Sequence, residues 1–414
     1  MSFFRNRSAA EPVRTDSPAD FAYLSCSYPG KDAHYFDSAC QTLRPEPVIA
    51  AVTEYYRHYN ACGGRVKYAW GEKVDGIVAN TRTKILKLLD KSPHHYTAAF
   101  CLNTTAGINL LLQQLPAGRY KRIVTSDIEH NSVFLPTQTC AGRFQLERIV
   151  LPRLPDGSLD FQPADLEKAV VVVNTTSNID GRALLNVREL VAATQERGGA
   201  VILDAAQTMA HDPDFLRDVN ADAICASSHK MYGPSLGFVV VNKTFLNELD
   251  CFFLGGGTVA DVRKDDFDLL DSSEEAFARL EPGLQDFAGI AGLGAAIDWR
   301  EKYRPENQDA ARQQSALAGI LYESLASNPR LKVVNSVPSP IISFHAEQVV
   351  DAHRLALYLS AQNIMVRSGY FCCHYYLKSV ARLPPLLRIS LGLHNTAVEA
   401  THVANVIHQI VNNL

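Results

Sequence analysis

The sequence predicts an α/β protein in which a mostly parallel, seven-stranded sheet lies between helices and a smaller α+β domain follows. Seven short apolar runs alternate with helix-like stretches between Thr97 and Val241, a rhythm typical of βαβ units. The runs are AAFCL, RIVTS, ERIVL, AVVVVN, AVILD, DAICAS and LGFVVV. After Gly257 the chain turns polar and acidic, and then helical. A second domain is expected, because 414 residues exceed the size at which one hydrophobic core stops growing.

Three segments are expected along the chain. Residues 1–30 are a loose tail, residues 31–285 form the large domain, and residues 286–414 form the small domain. The segment that precedes the sheet is expected to pack with the small domain.

Capping residues mark two helices. Asn186, with Glu189 three residues later, predicts a helix start, and Gly198 predicts its end. Thr396 and Glu399 have the capping-box spacing at the start of the last helix. Apolar residues recur along that helix at its period: Val403, Ile407, Ile410 and Leu414.

Composition argues against several classes of protein. A net charge of −4 and the lack of a basic stripe argue against nucleic acid as a partner. No apolar run approaches the roughly 18 residues that cross a bilayer, and the opening residues lack the apolar segment of a secretory signal. The nine cysteines show no CxxC pairing or zinc spacing. We therefore expect a cytoplasmic protein with no membrane segment and no metal site.

Two polar residues that follow strands predict the chemistry. Asp204 ends the run AVILD. Lys230 lies 26 residues after Asp204, just past the run DAICAS and within SSHKMYGP. Strand ends at one edge of an open α/β sheet line the ligand crevice. A lysine amine and a carboxylate that keeps a ring nitrogen protonated are what pyridoxal phosphate requires. Singly each residue would more often face water or cap a helix, but the pair favours this cofactor.

A phosphate site is indicated at NTTAGINLLL, where Thr104 and Thr105 open a helix directly after a strand. Helix N-terminal amides and hydroxyls bind anions. Ser227 and His229, beside Lys230, add hydrogen-bonding groups suited to a phosphate. The alternative for the threonines is plain helix capping.

Together these motifs resemble the class V aminotransferase family of fold-type I pyridoxal-phosphate enzymes, and within it the SufS-type cysteine desulfurases. The resemblance runs from YFDSACQTLRP at Tyr35 to LLRISLGLHNT at Leu386. Its most specific part joins D-x-x-Q to S-x-H-K-x-Y-G-P: Asp204, Gln207, Ser227, His229, Lys230, Tyr232, Gly233 and Pro234. The resemblance implies the fold-type I transferase fold and pyridoxal 5'-phosphate bound in the large domain.

The resemblance also implies roles for single residues. Lys230 would bind the cofactor covalently and act in catalysis, Asp204 would hold the pyridine nitrogen, and His130 would stack on the ring as a catalytic residue. The other cofactor ligands would be Thr104, Thr105, Asn178, Gln207, Ser227, His229 and Thr258.

Substrate and partner predictions follow from the same resemblance. Arg388, with Asn178, would bind the substrate carboxylate, where a guanidinium fork suits a carboxylate better than a lysine does. Thr258, which closes the run GGGT, would reach the phosphate of a neighbouring subunit and so implies a homodimer. A sulfur-acceptor protein is a further expected partner.

The chain departs from the family pattern in one loop. Where the family commonly reads R-T-G-H-H-C-A-x-P, this chain reads RSGYFCCHY from Arg367, and a similar R-x-G-x-F-C occurs in molybdenum-cofactor sulfurases. Smaller departures are Ala106 and the pair Thr176-Ser177. The family register makes Cys372 the sulfur acceptor, which leaves Cys373 as a packing residue or a relay. A disulfide between neighbours would be strained, because their Cα atoms lie only about 3.8 Å apart.

The expected function is a pyridoxal-phosphate-dependent cysteine desulfurase, which converts L-cysteine to L-alanine and leaves the sulfur as a persulfide on Cys372. Two alternatives stay open. One is another class V reaction: a selenocysteine lyase, a carbon–sulfur lyase or an aminotransferase that never uses the cysteine. The other is a silent family member that serves as a scaffold for sulfur-transfer proteins, against which the intact Lys230 and Asp204 argue.

Overall fold

The structure, a computed structural model, describes residues 20–21, 33–64, 66–270, 275–302, 307–346 and 348–414. Nearly all of the predicted tail, residues 1–30, therefore lies outside the described residues, and so does Cys26.

The elements alternate along the chain as the sequence predicts. The strands are β1 (His34–Tyr35), β2 (Tyr96–Cys101), β3 (Arg122–Ser126), β4 (Glu147–Leu151), β5 (Ala169–Asn174), β6 (Ala200–Asp204), β7 (Ala223–Ser227), β8 (Gly237–Asn242), β9 (Val259–Val262), β10 (Phe267–Leu269), β11 (Lys332–Val333), β12 (Ile341–His345), β13 (Ile364–Met365), β14 (Arg367–Gly369) and β15 (Leu386–Ser390). The helices are α1 (Glu46–His58), α2 (Ala69–Leu88), α3 (Thr104–Gln113), α4 (Asn131–Phe144), α5 (Val187–Glu196), α6 (Thr208–His211), α7 (Lys243–Glu248), α8 (Phe287–Lys302), α9 (Asn307–Ser327), α10 (Ala352–Ser360) and α11 (Ala397–Asn413).

Seven strands form the large sheet in the order β2-β8-β7-β6-β5-β3-β4. Strand β8 runs antiparallel to both of its neighbours, and every other pair is parallel. The predicted α/β class with a mostly parallel seven-stranded sheet is confirmed. Central strands such as β5 are buried on both faces, which explains why they read as unbroken apolar runs. In the sheet register Asn174 lies beside Asp204, and Asp204 lies beside Cys225.

The two predicted caps have different outcomes. Thr396 and Glu399 form a capping box at the start of α11, as predicted. Leu414, which the prediction included in the apolar stripe, follows the end of α11 and is 58% exposed. Asn186 precedes α5 but makes no cap with its side chain. Its amide instead pairs with the backbone of Leu159, at 2.9 Å in both directions, because a connection between strands passes beside it.

The smaller sheet has the order β11-β12-β15-β14, and its neighbours are antiparallel. The segment before the large sheet reaches this region, because β1 pairs with β13 and Asp37 bridges to Ser390 of β15. Helix α8 instead buries Ile290 and Leu293 in the core of the large sheet. The predicted boundary between residues 285 and 286 stays a prediction.

The polar segment after Gly257 contains a small hairpin of β9 and β10. None of the helices in the described ranges is long and apolar enough to cross a membrane.

Candidate active site

A cavity of about 280 Å³ opens where strands β5, β6 and β7 end. The parallel strands bring distant residues to one edge of the sheet, which is where ligands bind in such folds. The cavity brings together all but one of the site residues that the sequence predicts: Thr104, Thr105, His130, Asn178, Asp204, Gln207, Ser227, His229, Lys230, Cys372 and Arg388. Thr258 is the exception.

Lys230 and Asp204 lie at neighbouring strand ends. Asp204 is the last residue of β6 and Lys230 ends a tight turn directly after β7. The Lys230 ammonium makes no hydrogen bond or ion pair with any side chain or backbone group of the described residues. Burial lowers its pKa, with the Asp204 charge opposing, so a neutral, nucleophilic amine is more accessible than on a surface lysine. Asp204 Oδ1 accepts from the Ala206 backbone at 3.0 Å, and burial raises the pKa of this carboxyl.

His130 caps helix α4 with its own ring. Its Nδ1 accepts from the Ser132 backbone N–H at 3.1 Å. Burial, followed by the nearby charge of Lys230, lowers the pKa of His130 to about 3. The imidazole is therefore neutral at neutral pH and presents a flat, uncharged ring in the cavity near Lys230.

Hydroxyl groups gather at the start of helix α3. Thr104 donates its backbone N–H to Ser227 Oγ at 2.9 Å, and the Thr105 and Ser132 hydroxyls lie 2.6 Å apart. Gly237 on β8 allows this approach, because a Cβ there would come within 2.4 Å of the Asn103 backbone. The start of a helix and a group of hydroxyls are suited to bind an anion.

Gln207 and Asn178 both line the cavity, but their side-chain amides differ in how many of their hydrogen bonds are made within the protein. Gln207 Nε2 donates to the Ala39 carbonyl at 2.8 Å, while its buried Oε1 has no partner among the described residues. The Asn178 amide is engaged by a loop: Nδ2 donates to the Phe371 carbonyl at 2.9 Å, and Oδ1 accepts from the Cys373 thiol at 3.0 Å. A contact between Asn178 and a cofactor would have to compete with these bonds.

The double-cysteine loop, residues 370–374, separates its two thiols. Phe371 and Cys372 both have left-handed backbones, with φ of 47° and 58°, and the Cys372 carbonyl accepts from the Asn131 backbone at 2.6 Å. Cys372 is exposed and lines the cavity. Cys373 is fully buried among apolar residues, and this burial raises the pKa of its thiol far above the usual range.

Asp37 joins two arginines of the cavity wall. Its Oδ1 lies 3.3 Å from Arg388 Nη2, and its Oδ2 lies 2.8 Å from Arg367 Nη2. Arg388 is buried, and its Nη1 also donates to the Asn178 carbonyl at 3.0 Å. The Arg388 Nε has no partner among the described residues. The guanidinium is thus held firmly while one donor remains unpaired.

The sequence prediction missed several residues of this site, among them Asp37, Cys40, Glu129 and Ser132. Cys40 lines the cavity beside Asp37 in YFDSAC, a motif that the resemblance covered but to which no role was assigned. Glu129 precedes His130 and accepts from the backbone and side chain of Asn174, each at 2.8 Å. Burial raises the Glu129 pKa to about 7. An acid directly before a predicted site histidine was the available signal.

Thr258 lies away from the cavity. Its hydroxyl donates to the Gly255 carbonyl at 2.8 Å and closes the glycine-rich turn. Its contact with a second subunit remains a prediction.

A ring cofactor that carries an aldehyde, a phosphate and a protonated nitrogen fits these residues. The unpaired Lys230 amine suits the aldehyde, the start of α3 suits the phosphate, and the buried Asp204 carboxyl suits the ring nitrogen. The buried Gln207 Oε1, which has no partner among the described residues, can accept a hydrogen bond from a donor on the cofactor. Fold and cavity thus define a pyridoxal-phosphate enzyme of fold type I.

Comparison with known proteins identifies the family to which the chain belongs. The family described as Aminotransferase class-V matches residues 34–403, and the chain belongs to that family. The chain is 28% identical over 409 residues to a probable cysteine desulfurase of Xylella fastidiosa (strain 9a5c), with 95% of each chain covered. It is also 28% identical to a cysteine desulfurase of Pectobacterium atrosepticum, covering 92% of this chain and 94% of the relative.

A solved structure agrees with this likeness. The apo cysteine desulfurase of Thermococcus onnurineus NA1 superposes with a TM-score of 0.84 at 25% identity, covering 97% of this chain and 100% of the other. The resemblance drawn from the sequence motifs is confirmed at the level of the family.

Proposed function

We propose that the protein is a pyridoxal-phosphate-dependent cysteine desulfurase, which converts L-cysteine to L-alanine and takes the sulfur onto Cys372. The names of its relatives and the fit of the cavity to the cofactor support this proposal. The single observation that carries it is the placement of the Cys372 thiol in the wall of the cavity that holds Lys230.

The residues of the cavity divide the work of the reaction. Bound pyridoxal phosphate supplies an electron sink for changes at the substrate α-carbon. Arg388 has an unpaired, buried Nε that can donate to the substrate carboxylate. Lys230 Nζ, whose pKa burial lowers, can remove the α-proton and later return a proton to the product.

The sulfur transfer balances without an outside oxidant. The carbon–sulfur bond of cysteine breaks, a new bond forms between this sulfur and Cys372 Sγ, and the carbon retains the electron pair and gains a proton. Cysteine and a thiol thereby become alanine and a persulfide. Exposure and cavity access favour Cys372 over the buried Cys373, because an attacking thiolate must reach the substrate.

We also propose a homodimer, a sulfur-acceptor protein and a cytoplasmic location. Phe252, Phe253 and Leu254 are 62%, 57% and 41% exposed just before the glycine-rich turn of Thr258, and an apolar surface of this kind is typical of an interface. Exposure of Cys372 suits delivery of sulfur to an acceptor. All cysteines of the described ranges are free thiols, which suits a reducing compartment.

The decisive experiment measures alanine and protein-bound persulfide after the cofactor-loaded protein meets L-cysteine. Wild type should form both, and Cys372→Ser should form neither while keeping the cofactor absorbance. Cys62→Ser, which changes an exposed cysteine outside the cavity, is the matched control and should behave as wild type.

The alternatives give different results in the same assay. An aminotransferase or a carbon–sulfur lyase would stay active in the Cys372→Ser variant and yield a keto acid. A scaffold protein would show no turnover and no cofactor absorbance. Either result would overturn the proposal.

A further inference from the structure

A second thiol lines the cavity. Cys40 lies in the Asp37 turn, residues 37–40, and is partly buried. Of the cysteines in the described ranges, Cys40 and Cys372 line this cavity.

Arg367 ties the Asp37 turn to the double-cysteine loop. Its Nη2 lies 2.5 Å from Cys40 Sγ, and its Nε donates to Asp37 Oδ2 at 3.0 Å. The Cys40 backbone N–H also donates to the Asp37 carbonyl at 3.0 Å. Because Arg367 begins the strand that leads into the loop, one side chain fixes the approach of both cysteine-bearing segments.

Near Cys40, the cavity is lined by two buried side chains that each have a polar atom without a hydrogen-bond partner among the described residues. Gln207 holds the carbonyl of Ala39, the residue before Cys40, yet its Oε1 is unpartnered. Arg388 Nε is likewise unpartnered, and both side chains belong to residues only 3% exposed. Cys40 lines the same cavity as these two unpartnered groups.

The electrostatic influence of Cys40 on Lys230 agrees with the placement of Cys40 in the cavity wall. Burial lowers the pKa of Lys230, and the opposing influences come first from Asp204 and then from the Cys40 thiol. The Cys40 sulfur thus lies within electrostatic reach of the Lys230 amine.

We propose that Cys40 is a second sulfur-carrying residue, which takes the sulfur from the Cys372 persulfide inside the cavity. The inference rests on the proposed function, since that reaction supplies the persulfide. It adds a second sulfur position, which is partly buried where Cys372 is exposed. An Arg367 N–H at the Cys40 sulfur would also donate to the new persulfide.

The transfer is an ordinary thiol exchange. The Cys40 thiolate attacks the outer sulfur of the persulfide, the bond between that sulfur and Cys372 Sγ breaks, and Cys372 leaves as a thiolate. A new persulfide forms on Cys40, and the proton lost by one thiol is taken up by the other. No oxidant or reductant is consumed, and Cys372 is free for a second turnover.

The exchange predicts a stoichiometry. Reduced, desalted, cofactor-loaded protein is given a small molar excess of ³⁴S-labelled cysteine without acceptor or reductant, then quenched with an alkylating reagent. Wild type should release two alanines per chain in the initial burst, and peptide mass spectrometry should find label on Cys372 first and then on Cys40.

Variants separate the possible outcomes. Cys40→Ala should release one alanine and carry label on Cys372 alone, with its cofactor absorbance unchanged, while Cys62→Ala should match wild type. A wild-type burst of one alanine, with no label on Cys40, would overturn the relay and leave the proposed function standing. Label on Cys40 in Cys372→Ser would also overturn it, since Cys40 would then take sulfur directly from the substrate. Wild type that forms no alanine would refute the proposed function itself.

Discussion

Two walls of the cavity are built in different ways. The sheet wall consists of residues at strand ends, such as Asp204 and Lys230, and it is held by the register of a buried sheet. The loop wall consists of the Asp37 turn, Arg367 and the double-cysteine loop, and it is held by ion pairs and by two consecutive left-handed residues. The sheet wall suits a cofactor that must be fixed in place. The loop wall suits a sulfur atom that must move.

The largest effect is expected in the sheet wall, from Asp204→Asn. A neutral amide cannot keep the proton on the ring nitrogen, so kcat should fall by about 10²-fold or more. The cofactor should still bind, because Lys230 and the phosphate site are untouched. Steady-state kinetics beside the visible spectrum check this outcome. Activity near that of wild type would mean that another group holds the nitrogen.

A smaller and different effect is expected in the loop wall, from Asp37→Asn. This change removes the anion between Arg367 and Arg388, so the Arg388 guanidinium, which is proposed to bind the substrate, loses its fixed orientation. KM for cysteine should rise about tenfold, with a smaller change in kcat. Glu54→Gln is the control, because it alters an exposed ion pair with Lys73 in the same way. Equal losses in kcat and kcat/KM would instead place Asp37 in the chemical step.

The smallest effect on activity is expected behind the sheet wall, at Glu129, where stability is the better measurement. Burial raises the Glu129 pKa from 4.5 to about 7, so the folded protein binds this proton more tightly than the unfolded chain. The stability that it contributes is present below pH 4.5 and is lost as the pH rises to about 7, by about 3 kcal/mol.

Glu129→Gln should flatten this part of the stability curve, measured by denaturant unfolding at several pH values. The difference between the two curves isolates Glu129, because His130 contributes equally to both. Its pKa, lowered to about 3, gives a slope of opposite sign. Parallel curves would show that Glu129 has the same pKa in the folded and unfolded protein.

The sheet wall could be predicted from the sequence and the loop wall only in part. Apolar runs gave the strands to within two residues at each end, and strand ends placed Asp204 and Lys230. Asp37 and Cys40 were not predicted as site residues, because their partner Arg367 lies 330 and 327 positions away in the chain. A local sequence pattern cannot reveal a contact between residues that lie so far apart in the chain. The prediction that Asn186 caps a helix was wrong for a related reason. Its side-chain amide hydrogen-bonds to the backbone of Leu159, which the local sequence pattern does not reveal.

The pairing of Asp37 with Arg388 has a consequence for the order of synthesis. Strand β15 is among the last elements to be made, so the N-terminal Asp37 turn must wait for it while the large sheet already exists. The sheet can reach its native order on the ribosome, but the arginine that is proposed to grip the substrate is fixed only once the chain is almost finished. The sheet wall of the cavity can thus be complete before the loop wall is.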